Sequence, residues 1–209
     1  MFMSTRSTPL RSGRLMKALI LVFPGSNSGQ ITMNSGISFE VRETSLGMAL
    51  IAINARGVCG IYLGEDPMGL MTELRNDFPT AELEPAVDGQ REIVARVLAC
   101  VRNPLEPFDF PLDIRGGDFE QMIWASIRLC PPGKTLSPAA IAQLIGASPE
   151  ASTNVEQVCR RNKLAVAVPC HRVVSSDGTL SICRWGENIQ RALLAIEQDS
   201  RFISKTGGH

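Results

Sequence analysis

Apolar and polar positions along the chain follow two different periods. From Phe39 to Arg42, Met48 to Ile53 and Gly57 to Leu63, short apolar runs are separated only by Ser45-Leu46-Gly47 and Asn54-Ala55-Arg56. Spacing this tight predicts three strands in an antiparallel meander. The period then lengthens. Met68, Met71, Leu74 and Arg75 recur at helical spacing, Asp66-Pro67 is a helix start, and Asp77-Phe78-Pro79 closes the segment. Ile93, Val94, Val97 and Val101 share one face of a second helix, from about Gln90 to Val101. This acidic portion reads as a small α+β unit, and its own residues suggest a scaffold rather than chemistry.

Phe108 to Arg115 reads as an extended link, and Gly116-Gly117 marks a boundary. Beyond it the pattern is helical. Phe119, Ile123 and Ile127 repeat every four residues until Pro131-Pro132-Gly133. Ser137-Pro138 opens the next helix, serine as cap and proline at the first helical position, with Ile141, Leu144 and Ile145 as its apolar side. After the turn Gly146-Ala147-Ser148-Pro149, a helix from about Ser152 to Arg161 buries Val155, Val158 and Cys159 and turns Asn154, Glu156, Gln157, Arg160 and Arg161 outward. Two short helices joined by a glycine-containing turn fit a helix-turn-helix, with Arg160-Arg161 placed to meet phosphate. They equally fit a helix pair that only packs. An apolar run from Leu164 to Val168 then enters Pro169-Cys170-His171-Arg172, and Val173-Val174 can pair as a short strand. Ser175-Ser176-Asp177-Gly178 is a hairpin turn, and Thr179 to Cys183 returns as a wing would. A last helix, Asn188 to Gln198, has Ile189, Leu193 and Ile196 inside and carries Glu197. The resulting division is a basic, flexible tail over 1–37, a scaffold over 38–115, a helix-turn-helix domain over 116–200 and a short tail over 201–209.

Composition narrows the options. The chain has 209 residues and a formal net charge of zero, so no global field steers it to nucleic acid, and any such binding needs a local patch. Its six cysteines show no CxxC and no dense framework, and with only two histidines no zinc site is visible. This reads as a reducing, cytoplasmic compartment. The first 35 residues hold Arg6, Arg11, Arg14 and Lys17 and no acid, and the apolar stretch Ala18 to Phe23 is far too short to span a membrane.

The chemistry concentrates at Cys170. It is the candidate nucleophile, and His171 is the only internal imidazole, because His209 is the last residue. Neighbours in an extended segment point to opposite sides, so a direct thiolate–imidazolium pair is disfavoured and a bridging water is the better relay. A free thiol ionises near about 8.5 and needs such help at neutral pH. The imidazole in turn needs an orienting group, for which Glu197 is a candidate. Adjacency alone fits equally a buried Cys170 acting as a small hydrophobe and a solvated Glu197.

Residues 38–198 resemble the 6-O-alkylguanine-DNA alkyltransferase family. The resemblance rests on Leu112-Asp113-Ile114-Arg115-Gly116 with Phe119 to Trp124, on Val158-Cys159 and Asn162-Lys163-Leu164-Ala165, and on Val168-Pro169-Cys170-His171-Arg172-Val173-Val174. Asp177 to Ser181 and Arg184-Trp185-Gly186 complete it. It implies an α+β fold: a small N-terminal three-stranded antiparallel sheet with helices (ribonuclease H-like), then a mainly helical winged helix-turn-helix domain. It also implies a monomer that binds double-stranded DNA containing alkylated guanine in the minor groove, flips the base, and transfers the alkyl group once to Cys170. His171 would relay the thiol proton through water, Glu197 would orient His171, and Asn162 would hold the turn before the active-site segment. Val168, Pro169, Ser181, Ile182 and Cys183 would line the pocket. Thr153, Asn154, Gln157, Arg160, Arg161 and Pro138 would face DNA. No cofactor, metal, membrane or obligate protein partner is implied. The departures lie in the groups that handle the base: Thr153 (or Ser152) stands where the family has a finger arginine, Pro138 where it has a tyrosine, and Ser181-Ile182-Cys183 in place of the usual glycine-rich wing sequence. They leave open an alternative, a catalytically weak or inactive relative that binds lesions.

Overall fold

The computed structural model describes residues 36–180 and 183–199. Residues 1–35 of the tail read over 1–37, residues 200–209, and the pocket positions Ser181 and Ile182 lie outside the described residues. Ile37, assigned to the tail by its sequence, already belongs to the first strand and is buried.

The meander forms as its turn residues dictate: β1 (Ile37–Thr44), β2 (Gly47–Asn54) and β3 (Gly57–Gly64) pair antiparallel, Glu40 opposite Ile51 and Ile51 opposite Ile61. The sheet differs from the three-stranded expectation in one respect. A short β4 (Leu83–Pro85) pairs parallel with β1, giving the order β3-β2-β1-β4. A three-residue strand ending in proline has no alternation to detect. It exists because Ile37 N–H donates to the Glu82 carbonyl at 2.8 Å and Ala86 N–H to that of Phe39 at 2.9 Å. Two helices cover the sheet. α1 (Pro67–Asp77) starts where Asp66 accepts from the amides of Met68 and Gly69, and it lies against β2 and β3 through Leu70 and Leu74. α2 (Asp88–Arg102) packs Val94, Val97 and Val101 toward β1 and β2.

The outer edge of β3 is where the two halves of the chain meet. Val58 N–H donates to the Pro111 carbonyl at 2.9 Å and Asp113 N–H returns to Val58 at 3.0 Å, so the link before Gly116 lies along the strand. Only glycine allows this at position 57, which has φ +134°; a Cβ there would stand 2.2 Å from the Pro111 oxygen. Further along, Ile61 N–H donates to Lys163 at 2.7 Å and Ala165 N–H to Ile61 at 3.0 Å. The edge is thus paired twice, and the second pairing anchors the segment leading to Cys170.

The remaining helices are α3 (Asp118–Arg128), α4 (Pro138–Leu144), α5 (Ser152–Arg160, after a 3-10 turn over Pro149–Ala151) and α6 (Glu187–Gln198). Ser137 caps α4 by accepting from Ala140 N–H at 3.1 Å. Ile123, Ile127, Ile141, Val155, Val158 and Leu193 are buried together in the core. Val173-Val174 pairs as a bridge beside Leu136, and the turn after it closes through Gly178 N–H to Ser175 at 2.8 Å. Among the described residues, no helix is long and apolar enough to cross a membrane.

Candidate active site

Asn162 lies two residues past the end of α5 and is buried. Its Oδ1 accepts from Leu164 N–H at 2.9 Å, and its Nδ2 donates to the carbonyls of Val168 at 2.8 Å and Leu164 at 3.4 Å. One amide thus closes the loop between Leu164 and Val168. The sequence suggested an apolar run leading straight to the cysteine, but the backbone curls instead. Val168 N–H donates to Leu164 at 2.9 Å, and Val166 sits at φ +65°. A β-branched residue there costs on the order of 1–3 kcal/mol, which the surrounding bonds must offset.

Cys170 opens a 3-10 turn, Cys170–Arg172, closed by Arg172 N–H to Pro169 at 2.9 Å and Val173 N–H to Cys170 at 3.0 Å. This corrects the extended geometry expected here. Proline's fixed φ and the curled loop before it bring the chain in at an angle a strand could not follow. Successive side chains on such a turn point about a third of a revolution apart, so Cys170 and His171 still diverge.

His171 and Glu197 are both buried, and Nε2 of the imidazole lies 2.8 Å from Glu197 Oε1. Arg172 completes the cluster. Its Nε and Nη2 donate to Glu197 Oε1 at 3.0 and 2.7 Å, Nη1 donates to the Cys130 carbonyl at 2.6 Å, and Gly133 N–H donates to Glu197 Oε2 at 2.9 Å. Burial acts to raise the Glu197 carboxyl, but the donors His171, Arg172 and Gly133 outweigh it and hold the group down at about 2. Burial lowers the His171 pKa against the pull of Glu197. The pair is therefore a carboxylate beside a neutral imidazole. A carboxylate only accepts, so the hydrogen-bond network assigns the proton to Nε2 and leaves Nδ1 as the basic nitrogen.

Cys170 is 1% exposed. Burial, then the neighbouring Cys159 thiol that hydrogen-bonds it, push its pKa well up, while Asn162 draws it the other way. Val168, Pro169 and Cys183 are buried too, Val168 bound to Asn162 and Cys183 raised to about 12 by burial.

The residues assigned to DNA divide. Thr153, Asn154, Gln157 and Arg160 are placed on α5, and all four are exposed. Arg161, just past its end, is exposed but ion-paired with Glu120 at 3.0 Å. Pro138 is buried at the first position of α4, so it packs the helix start and does not share that surface. Sequence reasoning missed Arg172 and Cys159 as members of the site. The signal for Arg172 was present: a cation inside an apolar stretch must be paired when buried. Among the described residues, no cluster of histidine, cysteine and carboxylate side chains is arranged to hold a metal ion.

The family model for the 6-O-methylguanine DNA methyltransferase DNA-binding domain matches residues 118–199. The bifunctional transcriptional activator/DNA repair enzyme Ada of Escherichia coli K12 is 40% identical over 167 residues, 80% of this chain and 47% of that protein. The chain thus spans about half the length of Ada. The methylated-DNA–protein-cysteine methyltransferase of Methanosarcina barkeri is 30% identical over 162 residues, 78% of this chain and 98% of that protein. The crystal structure of Mycobacterium tuberculosis OGT in complex with DNA superposes with a TM-score of 0.61 at 27% identity, covering 77% of this chain and 92% of that one. With Cys170, His171, Glu197 and Asn162 assembled around one turn and a relative matched along nearly its whole length, the chain belongs to the methylated-DNA–protein-cysteine methyltransferase family.

Proposed function

We propose that this protein repairs alkylated guanine in double-stranded DNA by a single transfer of the alkyl group to Cys170. The observation that carries the reading is the His171–Glu197 contact at 2.8 Å, one residue along the turn from the buried Cys170, because it leaves Nδ1 as a base that can take the thiol proton through water. In the reaction the Cys170 proton passes through water to His171, and the thiolate attacks the alkyl carbon in line. The carbon–oxygen bond at the guanine 6-oxygen breaks, the electron pair stays on the base as the 6-keto form, and ring nitrogen N1 takes up a proton from water. The product is a thioether, a poor leaving group toward water, so each molecule acts once and needs no cofactor. The base must leave the stack for this geometry to be reached.

The remainder of the reading follows the same logic. Residues 38–115 form a ribonuclease H-like scaffold, and residues 116–200 a winged helix-turn-helix in which α4 and α5 are the pair and α5 faces the minor groove. The buried Cys170 waits for a flipped alkylguanine, with Ser181, Ile182 and Cys183 on the pocket wall. The protein acts as a cytoplasmic monomer without an obligate protein partner. A second reading, a lesion-binding relative that transfers poorly or not at all, draws on the exposed Thr153 and buried Pro138 at base-handling positions. Incubation with a duplex carrying one 6-O-methylguanine, followed by intact-protein mass, separates the two. A single added methyl on the whole population supports repair. Stable binding with no mass change supports the alternative.

A further inference from the structure

Gln190 is fully buried on α6, two helical turns before Glu197 and therefore on the same face. Its Nε2 donates to the carbonyl of His171 at 3.2 Å and to that of Val173 at 2.9 Å. These two oxygens flank Arg172 at the end of the turn that begins with Cys170. Among the described residues, no protein group donates to its buried Oε1. A glutamine is thus held here for its donors alone. α6 grips the turn at two points: Glu197 takes the side chains of His171 and Arg172, and Gln190 takes the backbone on either side of Arg172.

We propose that Gln190 is a positioning residue for alkyl transfer, fixing the backbone of the Cys170 turn so that thiol and imidazole keep the geometry the transfer needs. The inference rests on the repair reading above and goes beyond it in assigning this residue a role. The turn follows a strained residue, Val166, and its own bonds are short-range 3-10 bonds, so it needs an external anchor. Glu197 cannot serve alone, because it holds side chains that can rotate while the backbone shifts beneath them. The donor-only use of Gln190 makes a chemical prediction. Lysine carries three N–H donors and no acceptor, and it should replace glutamine. Leucine, of similar size without donors, should not. Glutamate, which offers only acceptors when ionised, should not either.

The test is single-turnover methyl transfer from a methylated duplex to the full chain, read by intact mass at several DNA concentrations. Thermal melting shows that each variant is folded at the assay temperature. Gln190→Leu should lower the limiting transfer rate about tenfold or more, since misplacing a reacting group by an ångström costs up to about a hundredfold. The half-saturating DNA concentration should stay the same, because Gln190 is buried. Gln190→Lys should return most of the lost rate. Should Gln190→Leu fail to fold, a slow Gln190→Glu beside a fast Gln190→Lys carries the same conclusion. A folded Gln190→Leu that transfers at the wild-type rate overturns the inference and leaves the repair reading standing, and so does a Gln190→Lys as slow as the leucine or glutamate variant. A wild-type chain that takes no methyl at all overturns the repair reading, and this inference with it.

Discussion

His171 Nε2 and Glu197 Oε1 lie 2.8 Å apart although the residues are 26 positions apart in the chain. The contact fixes which imidazole nitrogen is protonated, and hence which is the base. Removing the carboxylate by Glu197→Ala leaves the Arg172 guanidinium buried without its partner. The expected loss is about 3–5 kcal/mol of stability. Glu197→Gln keeps the shape, should cost less, and should still slow transfer, because a neutral amide orients and polarises the imidazole more weakly. Denaturant melts and single-turnover rates check the two effects separately.

The same pair sets the acid limit of the fold. Glu197 is held at about 2 against 4.5 when unfolded, so its contribution is fully present above 4.5 and is lost as pH falls toward 2. His171 is lowered from 6.5, so the unfolded chain takes up its proton first, and stability also falls as pH drops below 6.5. Both act in one direction. The urea midpoint should decline from pH 6.5 downward and steepen below 4.5. In Glu197→Gln the lower part of that decline should flatten.

Cys170 is expected to be the sole acceptor. Cys170→Ala should bind methylated duplex as the wild type does and gain no methyl. Cys183 is the neighbour to watch, since it is buried nearby and shares the influence of Cys159. A methyl mapped by peptide mass to Cys183 in the alanine variant would refute the assignment.

DNA affinity should be modest and steeply salt-dependent. The chain has no net charge, so Arg160, Arg161, Lys163 and a few neighbours are expected to supply the phosphate contacts. Lys163 already lies 3.8 Å from Asp77, and Arg161 is paired with Glu120. Arg161 is exposed, and a pair at the surface is worth about 0–1 kcal/mol, so phosphate can displace Glu120 from it. Glu120→Gln should raise affinity slightly at low salt. Replacing Arg160 and Arg161 together should flatten the salt slope by about 0.9 for each phosphate that is no longer neutralised. An unchanged slope would move the DNA surface elsewhere.

Thr153 is short and exposed near the start of α5. Flipping costs a few kcal/mol of stacking and pairing, and a threonine recovers little of it in the vacated space. Thr153→Arg should therefore raise the transfer rate on duplex DNA and leave the rate with free alkylguanine base nearly unchanged. Equal effects on both would mean that flipping does not limit the reaction.

The local chemistry of the chain settled a good deal by itself. The three strands of the meander, the caps at Asp66 and Ser137, and the helix limits near Asp118, Ser152 and Gln198 are all written in short-range pattern, and Cys170 with His171 could be named there as candidates. Turns, caps and periodicity involve neighbours within a few residues, and the residue types disclose them. Glu197 could be named only as a candidate, since a glutamate at the end of an amphipathic helix is usually solvated. Tertiary packing decided that it is buried against His171 and Arg172, that Asn162 ties a loop into a strained turn, and that Cys170 begins a 3-10 turn rather than continuing a strand. It also supplied β4, Arg172 and Gln190. Each of these rests on hydrogen bonds between residues distant in the chain, or on a conformation its own residues disfavour. A local pattern carries no trace of such a bond, because its energy appears only when the partner arrives.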